Sequence, residues 1–141
     1  MANYSASFNR LRNLAGNPEL TCVKPRSEWL SVPAGYTFSD DYDAFVNGSG
    51  AVWKPDDSGD LSAADLATVP FLPGGGESEE ALVASGLVDQ GTRFGRVLPG
   101  DIATVRAAQW LELDGYTYDL AEATAHPGGR AMWYALRMTK R

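Results

Sequence analysis

The hydrophobic positions fall into two regimes along the chain. Near its start Phe8, Leu11 and Leu14 recur at i, i+3 and i+6, the spacing that lines one face of a helix. Ser5 or Ser7 is placed to cap it, and Gly16-Asn17-Pro18 to stop it. This pattern predicts a helix over 5–15. A helix so short is marginal alone, so its apolar face must dock, either on its own domain or on a neighbouring subunit. From Leu20 the period shortens to that of strands. Leu20–Val23, Trp29–Val32 and Tyr36–Phe38 are short β-branched or aromatic runs bounded by Pro or Gly, and Phe45-Val46 and Ala51–Trp53 flank the hairpin turn Asn47-Gly48-Ser49-Gly50.

Residues 54–90 break this rhythm. Lys54-Pro55-Asp56-Asp57-Ser58-Gly59-Asp60 is turn chemistry throughout, Ser62 to Asp65 suits a single capped helical turn, and Pro70, Pro73 and Gly74-Gly75-Gly76 punctuate the residues beyond it. A second short helix is expected over Ser78 to Ser85, with Glu79 and Glu80 in its first turn and Gly86 beyond it. So long an irregular stretch is a functional excursion or a disordered insertion, and Phe71, Leu72 and Leu82 suggest that parts of it dock.

The last third carries the strongest signal. Phe94 to Leu98 reads as a strand, and Pro99-Gly100-Asp101 turns the chain. Trp110–Leu113 then meets Tyr116–Leu120 across Asp114-Gly115, a two-residue loop whose residues tolerate positive φ. After the loop His126-Pro127-Gly128-Gly129, a strand from Ala131 to Thr139 puts Met132, Tyr134, Leu136 and Met138 on one face and Trp133, Ala135, Arg137 and Thr139 on the other. The expectation is a mainly β fold: a small antiparallel β-barrel or sandwich with a short N-terminal helix and a long irregular loop excursion. It is one domain over 1–141, with an arm over 1–18, the barrel over 19–53 and 91–141, and the excursion over 54–90.

Charge narrows the possible partners. The net of −6 hides an acidic middle between basic ends: +2 over residues 1–35, −6 over 36–66, −6 over 67–125 and +4 over the last sixteen. An acidic bulk argues against wrapping nucleic acid but not against standing beside it as a repelling wall. The single cysteine, Cys22, makes no internal disulfide and suits a reducing compartment. No apolar run approaches the roughly eighteen residues of a membrane span, and the start lacks the apolar stretch of a signal peptide; a soluble protein made in the cytoplasm is expected.

Catalytic motifs are few. Gly74-Gly75-Gly76 runs into Glu77 and not into Gly-Lys-Ser/Thr, so it is no phosphate loop. The clusters around Asp40-Asp41-Asp43 and Asp56-Asp57-Asp60 miss the ligand spacing of a calcium loop and read as solvated acidic turns. His126, the only histidine, rules out a multi-histidine metal centre within one chain. Cys22 and His126 read as a buried thiol and an exposed loop imidazole, not as nucleophile and base. Trp29, Trp53, Trp110 and Trp133 read as core, because the interleaved Lys and Arg of a base-stacking platform are missing around them. Neither an enzyme nor a cofactor is expected.

The run Gly91-Thr-Arg-Phe-Gly-Arg-Val-Leu-Pro-Gly-Asp101, then Trp110-Leu-Glu-Leu-Asp-Gly-Tyr-Thr-Tyr118, then Trp133-Tyr-Ala-Leu-Arg137 resembles the C-terminal half of the head-closure, or stopper, proteins of tailed bacteriophages. The likeness spans roughly fifty residues, and related barrels occur among tail-terminator and tail-tube proteins. The resemblance implies a structural virion protein at the neck between head and tail. It would form a six- or twelve-fold ring below the portal or adaptor protein, retain DNA that passes through its lumen without sequence-specific binding, and offer a docking face to the tail. Expected contact residues are Phe8, Leu11, Leu14, Phe71, Leu72, Arg137, Lys140 and Arg141. The acidic loop of Asp56, Asp57 and Asp60 either faces the channel or solvates an outer turn. The alternatives are a tail-terminator or other tail ring, and a small cellular β-barrel adaptor; a hydrolase ranks behind both.

Overall fold

The computed structural model describes residues 4–74, 91–126 and 132–141. Its elements in chain order are a helix α1 (Tyr4–Leu14), strands β1 (Glu19–Val23), β2 (Thr37–Ser39), β3 (Ala44–Val46), β4 (Val52–Trp53), β5 (Leu66–Pro70), β6 (Leu72–Pro73) and β7 (Thr92–Val97), a short helix α2 (Ile102–Ala107), and strands β8 (Trp110–Leu113), β9 (Tyr116–His126) and β10 (Trp133–Lys140). The expected helix over Ser78–Ser85 and the loop Pro127-Gly128-Gly129 lie outside the described residues. The fold is mainly β, as the alternation predicts.

Seven strands form one antiparallel sheet in the order β5-β1-β8-β9-β10-β7-β6, and β2-β3-β4 form a second. The Asp114-Gly115 hairpin joins β8 to β9, with φ of 53° and 82° at its two residues, the geometry of a tight two-residue turn. The large sheet is not a barrel closed by hydrogen bonds. Its edge strands β5 and β6 are nevertheless consecutive in the chain, separated by Phe71 alone, so the sheet curls until its edges meet at that residue. The Phe71 ring fills the interior against Gly95 of β7, where a Cβ would fall far inside van der Waals contact with the ring.

Two expectations are corrected here, and one element is added. Residues 66–73 belong to the sheet and not to an irregular excursion. Pro70 and Pro73 mask them in the sequence, yet each sits on an edge strand, where a missing N–H costs no ladder bond. Trp29–Val32 is no strand: it follows a 3-10 turn over Arg26–Glu28, and the amides of Leu30 and Ser31 bond to the carboxylate of Asp65 instead of to a neighbouring strand. Ile102–Ala107 is a helix where the sequence reading assigns no element; it starts from the 3-10 turn Pro99–Asp101 and buries Ile102 and Val105, one helical turn apart.

Two apolar clusters organise the molecule. Inside the curled sheet, Leu20, Phe71, Val97, Leu111, Leu136 and Met138 are almost wholly buried, with Ile102 and Val105 of α2 packed among them. On the opposite face of β1 and β8, Val23 and Trp110 sit across from one another and pack with Trp29 and Phe45. Alternation along β8 therefore sends Leu111 and Leu113 into the curled interior and Trp110 under the small sheet, giving the β1–β8 end a sandwich character. Helix α1 lies beside β6 and buries Phe8 wholly in the fold. Its last turn is closed by the Asn17 N–H donating to Arg12 O at 2.9 Å and by Arg12 Nε donating to Pro18 O at 2.7 Å.

Candidate functional site

The structure places a cleft of about 320 Å³ where the small sheet meets β8. Its floor is aromatic: Trp29 lies 5.8 Å from Trp110, 5.9 Å from Phe45 and 6.1 Å from Trp53, ring centroid to centroid, mostly edge to face. The indoles are also hydrogen-bonded, Trp29 Nε1 to Lys24 O at 2.6 Å and Trp110 Nε1 to Glu112 Oε2 at 3.1 Å. The rim is charged. Arg26 and Lys54 both reach Asp43, at 3.3 and 3.5 Å, and Arg26 covers the ring of Phe38 at 4.8 Å. Arg141 covers Trp110 at 5.2 Å and meets Asp119 at 3.4 Å. No imidazole lines the cleft, and Asp43 is matched by Arg26 and Lys54.

Sequence reasoning places Trp29, Trp53, Trp110 and Trp133 in the core; the structure buries Trp29 and Trp110 but leaves Trp53 and Trp133 only partly buried. It misses that Trp29 leaves the strand path and that Arg26 and Asp43 border the cluster. The available signal was the aromatic density of residues 29–53. Trp133 differs from the other three: it lies on the outer face of the large sheet, stacked 5.8 Å from His126 and with Arg96 5.5 Å above its ring. An arginine is therefore interleaved there by cross-strand pairing, although none is adjacent in sequence.

The acidic loop lies beside the cleft, with Asp56 lining it. Asp56, Asp57 and Asp60 are all exposed. Asp57 Oδ1 accepts from the Gly59 N–H at 2.8 Å, capping the 3-10 turn Ser58–Asp60, and Ser58 Oγ donates to Glu112 Oε1 at 2.9 Å. The loop is thus tied to the sheet at Ser58.

The expected contact residues separate into two groups. Phe8 and Phe71 are wholly buried and Leu72 nearly so; they hold this chain together and present no surface to a neighbour. Leu11 and Leu14 remain outside, 47% and 80% exposed. The basic residues of the last strand are not loose: Arg137 meets Glu122 at 3.4 Å, and Lys140 sits 4.1 Å over Tyr116.

Among the described residues, two titratable groups are shifted. Burial, reinforced by the charge of Asp101, pushes the Cys22 thiol up to about 12, so it stays protonated and unreactive. Cys22 lies at the level of Leu111, whose partner in β9 is Tyr118, leaving it roughly 20 Å or more along the strand direction from His126. Asp65 behaves oppositely. Shielding from water raises its pKa, but four hydrogen bonds outweigh it, from the Ser31 hydroxyl, the Leu30 and Ser31 amides and the Ser62 hydroxyl, and hold the carboxyl below its ordinary range. Asp65 fastens the segment that carries Trp29 and so shapes the cleft. Among the described residues no three histidine, cysteine or carboxylate side chains gather as a metal would need.

Comparison with protein-family models, with curated proteins and with solved structures finds no match to this chain. Its functional reading therefore rests on its own residues.

Proposed function

We propose that this chain is a structural protein of a tailed-phage particle, a head-closure or stopper subunit that assembles as a ring at the neck, retains packaged DNA and receives the tail. The observation that carries the reading is the placement of the three runs that resemble such proteins. Residues 91–101, 110–118 and 133–137 supply β7, β8, the start of β9 and most of β10, so the resemblance falls on one continuous antiparallel unit. Exposed Leu11 and Leu14 offer apolar contact to a neighbour, and three loop aspartates per subunit would form, in a ring, a belt of like charge that disfavours adhesion of a phosphate backbone.

Native mass measurement of the chain mixed with its particle's portal or adaptor protein tests this, the expected result being a six- or twelve-fold species. A chain that neither forms a ring nor binds those proteins overturns it. The triple change Asp56→Asn, Asp57→Asn and Asp60→Asn should leave the assembled ring intact while altering DNA retention or ejection; a ring with this loop on its outer wall removes the belt from the account. A second reading, a small β-barrel adaptor module, is favoured by the aromatic cleft with its charged rim. It predicts a non-ring species that binds a protein partner through Trp53 and Phe38.

A further inference from the structure

Strand β9 is longer than its neighbour. β10 accompanies it from Tyr118 to His126, but β8 pairs only with Tyr116, Thr117 and Tyr118. From Asp119 onward the other side of β9 has no strand beside it among the described residues. Of the usual edge protections, neither lysine nor proline occurs between 119 and 126. Its single irregularity is a bulge at Ala121, where Leu120 and Glu122 face the consecutive residues Met138 and Arg137. Beyond the bulge, Glu122–His126 is regular. Glu122, Thr124 and His126 are exposed and point outward, while Ala123 and Ala125 are half-buried and point inward.

We infer that this edge pairs with the same edge of a second copy, antiparallel about a two-fold axis through Thr124. Three features of the segment favour a copy of itself over an unrelated strand. A two-fold pairing centred on Thr124 keeps outward residues opposite outward ones and inward opposite inward, as a continuous sheet requires. It sets each Glu122 opposite the other copy's His126, so a carboxylate faces an imidazole N–H at both ends. It sets Ala123 opposite Ala125 and Thr124 opposite Thr124, so the seam meets only small side chains and one threonine pair. Glu122 is already held out on this face by Arg137 and by the Thr124 hydroxyl, at 3.4 and 3.3 Å. The contact is isologous and independent of the ring reading, because a ring needs head-to-tail contacts while a two-fold contact closes on itself.

Light scattering after size-exclusion chromatography of the full chain, run over a range of concentrations, should show a species of twice the monomer mass. Ala125→Pro, which removes an N–H on the free side of β9 while Thr124 keeps its pairing with Ala135 of β10, should abolish that species and keep the circular dichroism of the wild type. A cysteine contrast gives an answer even if that variant fails to fold. Under mild oxidation Thr124→Cys should form a covalent dimer at least about tenfold faster than His126→Cys, because two copies of residue 126 lie too far apart to bridge. The buried Cys22 does not compete. A wild-type chain monomeric at every concentration, an assembly of unchanged mass in folded Ala125→Pro, or equal cross-linking at 124 and 126 overturns the inference.

Discussion

Replacing Asp65 with Asn tests how much of this fold hangs on one carboxylate. The side chain accepts from the Leu30 N–H at 2.5 Å, the Ser31 N–H at 3.1 Å, the Ser62 hydroxyl at 3.2 Å and the Ser31 hydroxyl. Its own backbone O accepts from the Lys24 N–H at 2.9 Å, so it joins three segments. Asn keeps one acceptor oxygen and turns an N–H toward donors on the other side, leaving at least one buried donor unpaired. Hydrogen bonds to a charged group contribute about 1.5–3 kcal/mol and an orphaned buried donor costs a further 1–3, so Asp65→Asn should destabilise by about 3 kcal/mol. Against a typical urea dependence this lowers the unfolding midpoint by about 1 M or more at pH 7.

The pH dependence supplies a second measurement. Asp65 is held below its ordinary value of 3.8 in the folded state, so its contribution is fully present above that value and is lost as pH falls through the lower folded value. The stability gap between wild type and Asp65→Asn should stay constant between about pH 6 and 8 and narrow below about pH 4. Tryptophan fluorescence suits the titration, because Trp29 lies on the fastened segment. A midpoint unchanged by the substitution, or a gap that widens in acid, would refute the reasoning.

Other substitutions probe separate joints. Gly95→Ala should cost about 1–3 kcal/mol in thermal or urea unfolding by driving a methyl into the Phe71 ring, and the loss should shrink in combination with Phe71→Leu, which makes room. Gly115→Val should destabilise by roughly 1 kcal/mol or more, because φ of 82° strains a β-branched residue; an unchanged melting temperature would show that the hairpin adapts. Phe8→Ala should cost about 3–5 kcal/mol, whereas Leu14→Ala, at an exposed site, should leave stability nearly unchanged; equal effects would place α1 differently.

Local chemistry made much of this protein legible from its residues. The Asp114-Gly115 turn, the Asn47–Gly50 turn, the helix ended at Gly16 and the inward face of Tyr134, Leu136 and Met138 each follow from interactions among near neighbours or from the period of one strand. What lay between distant residues did not. The strand character of 66–73 depends on β1 and β7 standing ready on either side of Phe71. The irregular path of 29–32 depends on a carboxylate more than thirty residues away. Phe8, Phe71 and Leu72 read as contact surface because an isolated apolar residue in an arm or a loop shows its hydrophobicity and not its partner; burial is a property of the packed whole. The aromatic cleft is decided in the same way: Trp29, Phe45, Trp53 and Trp110 come from four segments, and only the packing of the small sheet on β8 brings their rings within 6.1 Å of Trp29 and sets Arg26, Asp43 and Arg141 at their rim.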